Sequence, residues 1–255
     1  MTDAARSLKS QVSEAEWKVR VELAALYRLV ALNGWDDMIF THISARVPGP
    51  EHHFLINPYG WYFDEITASS LVKVDLDGNV VQDTTSFINP AGFTIHSALH
   101  MSRDDAFCVV HTHTAAGIAV SAQKQGLLPI SQHALKFYGH LAYHGYEGIA
   151  LDLDERERLV ADLGQHRAMI LRNHGLLVTG RTAAEAFNNI YYLERACQAQ
   201  VAALSAGMDQ IVFPPEEVRL RTAAQFNRSD SPHIYDLAWT AALRLVDDDK
   251  VDYRS

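Results

Sequence analysis

The sequence predicts an α/β fold, and three observations lead to this prediction. Short apolar runs of strand type, such as residues 107–110 and 169–171, are separated by segments whose apolar residues recur at helical spacing. Turn-forming Gly, Pro and Asn residues divide many of these segments. With 255 residues, of which 48% are hydrophobic, the chain can bury a substantial core. No linker divides the sequence, which allows one large α/β domain or two small ones.

The first part of the chain predicts a helix followed by an antiparallel pair of strands. Residues 13–16 form a capping box, and Asn33-Gly34 supplies a stop signal. The apolar residues at helical spacing between them are Val19, Leu23, Leu26 and Val30. Residues 41–47 predict a strand, and residues 54–56 return as its antiparallel partner after a Pro-Gly-Pro turn.

The remainder of the chain adds a second hairpin and the longest helix. Residues 71–76 and 80–81, joined through Asp-Gly, predict the hairpin. A second capping box at residues 182–185 opens a helix that extends to about Ser205. The other predicted elements are helices at residues 90–101, 115–124, 134–138, 155–163 and 234–246, and strands at residues 141–143 and 176–179.

Charge and cysteine usage exclude several classes of function. The net charge is −9 and no run of Lys or Arg exceeds two residues, which argues against a nucleic-acid or membrane partner. The two cysteines, Cys108 and Cys197, fall in a predicted strand and a predicted helix, which suggests buried thiols in a reducing compartment. The first 13 residues lack the apolar core of a signal peptide, and no apolar run approaches the ~20 residues of a membrane span. We therefore expect a cytoplasmic protein.

A His-x-His pair is the strongest sign of chemistry in the sequence. His111 and His113 follow a strand-like run, so their side chains point to the same face. His174 ends a second strand-like run, where a glycine follows. Three imidazoles with an open fourth position are typical of catalytic zinc. The alternative is a set of hydrogen-bonded polar residues without a metal, because His-x-His alone is a weak signal.

Two other segments carry candidate site residues with plain structural alternatives. Residues 57–60 predict a turn, which is either an ordinary connection or a loop whose N–H groups hold an anionic substrate. His133 is either a plain residue at a helix start or an acid/base group that titrates near neutrality. His96 and His100 share a face of the helix at 90–101 and are interpreted as core or capping histidines. The sequence has no Walker loop, no G-x-G-x-x-G and no G-x-S-x-G elbow.

Five segments in order resemble the class II aldolase/adducin family, and most closely its adducin head-domain branch of stand-alone bacterial proteins. The most specific are Val-His-Thr-His-Thr at residues 110–114 and Leu-Arg-Asn-His-Gly-Leu at residues 171–176. The other matching segments are residues 67–73, 91–98 and 126–131. The resemblance implies one three-layer α/β/α domain with a mostly antiparallel central sheet, at residues 16–207. Residues 1–15 would be an extension, and residues 208–255 a helical tail packed on the same domain or on a neighbouring subunit.

The resemblance also implies a metal site in a homotetramer whose active sites lie between subunits. His111, His113 and His174 match the metal ligands of the family, for which Zn²⁺ is the first candidate and Fe²⁺ or Mn²⁺ are alternatives. In the sugar-phosphate aldolases the metal polarises a carbonyl and stabilises an enediolate. The family's catalytic tyrosine, donated by a neighbouring subunit, aligns near His133, which would then carry the proton.

Two positions depart from the aldolase pattern. The glutamate that serves as the base in those enzymes aligns with Gly92, which cannot accept a proton. The asparagine that helps to hold the substrate phosphate aligns near His42. The remaining candidates for substrate contacts are Tyr59, Gly60, Ser69 and Ser70.

These features leave two functions from different classes. The favoured one is a metal-dependent lyase that acts on a small hydroxy or oxo acid, by aldol cleavage or by decarboxylation, which needs no base to begin. Epimerisation, or an Fe²⁺ oxygenase reaction, is also compatible with three imidazoles. The alternative is a non-enzymatic oligomerisation or binding module like the adducin head domain, which the glycine at position 92 supports. Adducins carry a long tail with a basic end that engages actin and spectrin, whereas this sequence ends at residue 255 with an acidic segment.

Overall fold

The computed structural model describes residues 8–148, 154–228, 231–247 and 252–255. Residues 1–7 of the predicted extension and residues 229–230 and 248–251 of the predicted tail lie outside the described residues. A single sheet of seven strands lies at the centre, in the order β3-β2-β1-β4-β7-β6-β5. The strands are β1 Ile43–Arg46, β2 Phe54–Ile56, β3 Val72–Val74, β4 Cys108–Thr112, β5 Ala142–His144, β6 Ala168–Leu171 and β7 Gly175–Gly180.

The sheet is mixed, with one parallel pair. β5 pairs with β6 in the parallel sense, and every other neighbouring pair of strands is antiparallel. This confirms the predicted α/β fold and its mostly antiparallel sheet. β4 lies at the centre between β1 and β7, and His111 is paired with Leu177 of β7.

Helices cover both faces of the sheet. They are α1 Glu14–Leu32, α2 Pro90–Ser102, α3 Ala115–Ser121, α4 Gln132–Leu135, α5 Glu155–Leu163, α6 Ala183–Leu204, α7 Glu216–Phe226 and α8 Ser231–Val246. Cys108 and Val110 of β4 pack in a core with α1, α6 and α8, whereas Val109 packs in a second core with α2 and α5. Because side chains alternate along a strand, β4 contributes to both helical layers. No described helix is both long and apolar enough to cross a bilayer.

Both predicted capping boxes begin helices. The Ser13 hydroxyl accepts a hydrogen bond from the Glu16 N–H at the start of α1, and the Thr182 hydroxyl accepts one from the Glu185 N–H at the start of α6. α1 ends at Asn33, and the following Gly34 has φ of 67°, as a helix stop requires. Local capping signals therefore set the ends of the two longest helices.

The predicted second hairpin is wrong in its second arm. Only Val72–Val74 forms a strand, and the returning chain contributes one isolated bridge between Val74 and Val80. The side chain of Gln82 accepts the N–H of Lys73, so a side chain takes the place of the ladder at that point. Helix α3 is also shorter than predicted and ends at Ser121.

The described part of the tail packs on the same chain. α8 contacts α1 and α6 and contributes Trp239 and Ala242 to the larger core. Tyr253 is buried, and its carbonyl accepts a hydrogen bond from the Ala68 N–H. The division into residues 1–15, 16–207 and 208–255 remains a prediction.

Candidate metal centre

Three histidines meet at one end of the central strands. His111 lies on β4, His113 follows that strand, and His174 lies in the turn between β6 and β7. Antiparallel pairing of β7 with both β4 and β6 places the turn beside the end of β4. One nitrogen from each ring lies within 4.8 Å of the others, and the ring centroids are 4.5–4.8 Å apart. Two strands that are distant in sequence thus bring the predicted set together.

The turn that carries His174 depends on unusual backbone conformations. Asn173 has φ of 55°, a left-handed conformation that asparagine tolerates better than most residues. Gly175 lies within β7, one residue beyond the turn, and a Cβ there would collide with the carbonyl oxygen of Thr112. The glycine therefore permits β7 to approach β4 closely. From the sequence, this glycine indicates only a turn after His174.

Hydrogen bonds on the outer side orient two of the three rings. Nδ1 of His111 lies 2.9 Å from the Leu176 carbonyl, and Nδ1 of His113 lies 2.9 Å from Oδ2 of Asp37. A carbonyl or an ionised carboxylate only accepts, so each Nδ1 donates and Nε2 of the neutral ring carries a lone pair. The two Nε2 atoms face each other at 2.8 Å. Facing lone pairs repel, and a cation between them removes that repulsion.

The donor set fits a divalent transition-metal ion. Imidazole nitrogens are ligands for zinc, iron and related ions, and three of them leave a coordination position open for substrate. Metal-binding histidines characteristically donate their second nitrogen to a carboxylate or a carbonyl, as His113 and His111 do here. The ring of His111 is buried, and those of His113 and His174 are partly buried.

The electrostatic surroundings keep two of these rings neutral. Burial, together with the neighbouring His174 and His113, holds the pKa of His111 well below its ordinary value. Burial and His113 lower the pKa of His174 to about 4. At neutral pH these rings are therefore unprotonated, which is the form that binds metal.

A cavity of about 310 Å³ opens beside the histidines. Besides the three rings, its described lining residues are Asp37, Phe40, His42, Asn89, Gly92, Ile95, Tyr146 and Gly148. Phe40 and Tyr146 are exposed and lie at the entrance, and the Tyr146 ring is 6.3 Å from that of His174. Among the described lining residues there is no lysine or arginine. The cavity thus has room for a small molecule, and its described lining offers no cationic side chain to a phosphate group.

His42 and Gly92, the two departures from the aldolase pattern, contact each other. A Cβ on Gly92 would lie 2.5 Å from Cγ and Cδ2 of His42, so the imidazole occupies the space next to the glycine. His42 is buried, and its carbonyl accepts the N–H of His111. Within the described residues neither ring nitrogen of His42 has a hydrogen-bond partner. Buried polar groups are normally hydrogen-bonded, so the ring of His42 lacks partners that the described residues do not supply.

His96 and His100 lie behind this wall. The Ser44 hydroxyl is 2.6 Å from Nδ1 of His96 and 2.7 Å from Nε2 of His100. Nδ1 of His100 also lies 3.1 Å from the Ala106 carbonyl. Burial lowers the pKa of both rings to about 3, so they are neutral and serve the core, as predicted.

Two carboxylates that no sequence motif identifies support the centre. Asp37 lies in the loop after α1, and the Asp36-Asp37 pair offers no motif that would identify it. Glu194 of α6 is buried and accepts hydrogen bonds from Thr112 at 2.6 Å and Thr114 at 2.7 Å. Burial raises the pKa of Glu194. The one sequence feature that could have identified Glu194 is its position among apolar residues on the buried face of α6.

Four predicted substrate contacts, Tyr59, Gly60, Ser69 and Ser70, do not line this cavity. The Tyr59 N–H donates to the Phe87 carbonyl, and the two aromatic rings are 5.9 Å apart. The hydroxyl of Ser69 donates to the carbonyl of Ser255, and that of Ser70 donates to the carbonyl of Thr67. Both hydroxyls are therefore used within the loop and its contact with the chain end.

His133 also lies apart from the histidine cluster of the same chain. It is on α4, and its ring is 5.0 Å from that of Tyr192 on α6. Burial and the charge of Arg195 lower its pKa. The prediction placed His133 in the site of a neighbouring subunit, and this single chain leaves that prediction open.

Comparison with known proteins gives one family. The family model described as "Class II Aldolase and Adducin N-terminal domain" matches residues 21–201. A Caulobacter vibrioides protein, provisionally named an aldolase class 2 protein, is 61% identical over 97% of this chain and 96% of its own length. Alpha-adducin of Rattus norvegicus is 48% identical over 78% of this chain, which corresponds to 28% of the adducin.

Two solved structures share the fold. An aldolase II superfamily protein from Pseudomonas syringae has a TM-score of 0.93 and 56% identity, with 97% of this chain and 99% of that chain covered. The L-fuculose 1-phosphate aldolase of Glaciozyma antarctica has a TM-score of 0.83 and 30% identity, with 95% and 93% covered. The similarity thus extends beyond the histidine segments to almost the whole chain.

Proposed function

Because the chain belongs to the class II aldolase and adducin N-terminal domain family, we propose that it is a metal-dependent lyase. The proposed reaction is cleavage of a carbon–carbon bond in a small hydroxy or oxo acid. The observation that carries the proposal is the cluster of His111, His113 and His174, with two Nε2 atoms facing each other at 2.8 Å. A divalent ion held there would act as a Lewis acid on a substrate carbonyl and stabilise the enolate formed on cleavage. Zn²⁺ is our first choice, with Fe²⁺ and Mn²⁺ as alternatives.

The supporting residues fix the geometry of the centre before substrate binds. Asp37 and the Leu176 carbonyl hold the Nδ1 atoms of two rings, so neither ring needs to reorient. Glu194 accepts both threonine hydroxyls that flank His113 and thereby fixes the segment that carries the ring. Preorganised groups of this kind contribute more to catalysis than groups that must move.

His42 is the substrate contact with the best structural support. Its ring lines the cavity, and its two buried nitrogens have no partner among the described residues. In our proposal a small shift of the ring lets one of them donate a hydrogen bond to a carboxylate or carbonyl oxygen of the substrate. Gly92 contributes no functional group, but it gives the imidazole its space. A cavity of about 310 Å³ without a described cationic side chain suits a small, unphosphorylated acid better than a sugar phosphate.

The absence of a side chain at Gly92 affects the choice of reaction. Aldol cleavage begins with removal of a proton from a hydroxyl group, which requires a base. Decarboxylation of an oxo acid begins with loss of CO₂ and needs a proton only at the end. In our proposal the imidazolium of His133 from a neighbouring subunit donates that proton to the enolate and regains one from water. Its lowered pKa makes this imidazolium a stronger acid. This arrangement requires a homo-oligomer, for which we propose a tetramer.

A panel of small 3-hydroxy and 3-oxo acids, incubated with metal-loaded protein and followed by NMR, tests the proposal. We expect turnover of at least one acid and none with the His111→Ala/His174→Ala variant. His133→Ala should keep the metal but lose most of the turnover, whereas His52→Ala, at an exposed histidine, should keep both. Full turnover by His133→Ala would exclude it as the proton carrier. Turnover that survives in the double variant would contradict the metal-dependent mechanism.

The second candidate is a binding module that resembles the adducin head domain. The absence of a carboxylate at position 92 and the 48% identity with alpha-adducin favour it. It predicts no turnover with any acid and an oligomer that is indifferent to metal. The three oriented imidazoles favour the lyase, because an assembly module needs no open metal site.

A further inference from the structure

A second cavity, of about 420 Å³, lies at the opposite end of the strands from the histidine cluster. Arg167 precedes β6 and Arg181 follows β7, and both line it, whereas His174 lies between these strands at their other end. The six residues of β7 separate the two ends by roughly 17 Å at the usual rise per residue. This cavity is therefore distinct from the candidate metal centre of the same chain.

The charge of this cavity is opposite to that of the chain. The formal net charge of the protein is −9. Among the described lining residues, the cationic ones are Lys136, Arg167, Arg181 and Arg228, and the one carboxylate is that of Glu185. Two histidines, His140 and His166, add further N–H donors. Four cations around one carboxylate in an acidic protein form a local positive field.

Lys136 is the most informative member of this set, because it is buried with 4% exposure. Its Nζ donates to Oδ1 of Asn188 at 2.6 Å and lies 4.8 Å and 5.2 Å from the ring centres of Tyr192 and Tyr235. In the described part of the chain it forms no ion pair with a carboxylate. Burial lowers its pKa to about 7, because an ammonium group loses its hydration there.

The two flanking arginines differ in their partners. Arg167 is paired with Asp105 at 2.7 Å and with Glu185 at 3.4 Å, so its charge is largely compensated. Arg181 is exposed at the mouth of the cavity. A guanidinium presents a planar fork of N–H donors that matches phosphoryl and carboxylate oxygens. The cavity thus combines a buried lysine and an exposed guanidinium. The nearby carboxylate of Glu185 interacts electrostatically with Lys136, but it is already paired with Arg167.

We propose that this second cavity binds a small multivalent anion, with a phosphoryl or polycarboxylate group between Lys136 and Arg181. The anion adds negative charge beside a buried lysine whose described carboxylate neighbour, Glu185, is shared with Arg167. The cavity has room for a compact metabolite rather than for an ion alone.

Isothermal titration calorimetry with pyrophosphate and with citrate, at low ionic strength, tests this site. We expect one ion per chain and an affinity that falls as salt is added, because screening weakens the ion pairs. Arg181→Gln should weaken binding about tenfold or more, the usual loss for a charge-assisted hydrogen bond. The matched control is Arg195→Gln, an exposed arginine about 15 Å further along α6 from Glu185, which should bind like the wild type.

Two further variants locate the site. His111→Ala/His174→Ala should retain binding, since the metal centre is not involved. Lys136→Met removes the buried charge without adding bulk. We expect pyrophosphate to raise the Tm of the wild type and to leave that of Lys136→Met unchanged. Binding by one anion alone would decide between phosphoryl and carboxylate ligands. No binding of either anion to the wild type, or equal loss in Arg195→Gln, would overturn the proposal.

Discussion

Substitution of Gly92 by alanine tests the contact between the two positions that depart from the aldolase pattern. An alanine Cβ at position 92 would lie 2.5 Å from Cγ of His42, about 1 Å inside an ordinary carbon–carbon contact of ~3.5 Å. The ring cannot move away easily, because His42 is buried and its carbonyl is bonded to the N–H of His111. Overpacking of this kind costs about 1–3 kcal/mol. Replacement of glycine by alanine in a helix otherwise stabilises by up to about 1 kcal/mol, so we expect a net loss of about 1–2 kcal/mol.

A double-mutant cycle separates this steric effect from helix propensity. In a His42→Ala background the obstacle is gone, so Gly92→Ala should become stabilising by up to about 1 kcal/mol. The free energy of unfolding of all four proteins is measured by urea denaturation, and Gly145→Ala is the control. A Cβ on Gly145 meets nothing within 4 Å, so its effect should stay within about 0.5 kcal/mol. If Gly92→Ala has the same sign in both backgrounds, the imidazole does not occupy the space next to Gly92.

Three further predictions concern the residues around the centre. Asp37→Asn should weaken metal affinity by about 10–100-fold in a competition titration, because the ring it orients loses its anionic partner, whereas Asp36→Asn should leave affinity unchanged. Ser44→Ala should lower the free energy of unfolding by about 1–3 kcal/mol, since it leaves two buried imidazoles without their partner, and the exposed Ser102→Ala is its control. Burial lowers the pKa of His96 from its ordinary 6.5 to about 3 in the folded state, so the unfolded chain binds more protons between these values. The stabilisation from neutral His96 is therefore present above pH 6.5 and is lost as the pH falls toward 3. The free energy of unfolding of the metal-free protein, measured in urea, should fall by up to about 1.4 kcal/mol per pH unit in this range.

Local signals in the sequence predict the helices and strands near the site well. The capping boxes at Ser13 and Thr182 place the starts of α1 and α6, since a capping side chain bonds only to N–H groups of its own first turn. The continuous apolar run that leads into His111 is typical of a strand buried on both faces, as β4 is between two apolar layers. These helix starts and this strand depend on residues that are close in sequence, so they can be predicted without knowledge of the tertiary structure.

The hairpin at residues 71–81 shows where local signals fail. Asp77-Gly78 does form a turn, with the Asp75 side chain accepting the N–H groups of Asp77 and Asn79. The second arm is limited to one bridge because the side chain of Gln82 takes the N–H of Lys73. Such competition between a side chain and a backbone ladder leaves no periodic pattern in the sequence.

The candidate site divides in the same way. His111, His113 and His174 follow from spacing and from the family resemblance, and the structure brings them together. Asp37 reaches His113 across 76 positions of sequence and Glu194 reaches Thr112 across 82, so pattern alone could not identify either carboxylate. The two departures from the aldolase pattern were visible in the sequence, but their mutual contact was not.

The metal content of the protein is the most direct test of the central claim. Untagged protein, purified without chelator, would be measured by mass spectrometry beside the His111→Ala/His174→Ala variant, with circular dichroism to confirm that both are folded. We expect about one divalent ion per chain in the wild type and none in the variant, because three imidazoles are needed to hold it. A folded wild-type protein that neither contains a divalent ion nor takes one up from Zn²⁺, Fe²⁺ or Mn²⁺ would contradict the lyase proposal and favour the binding module.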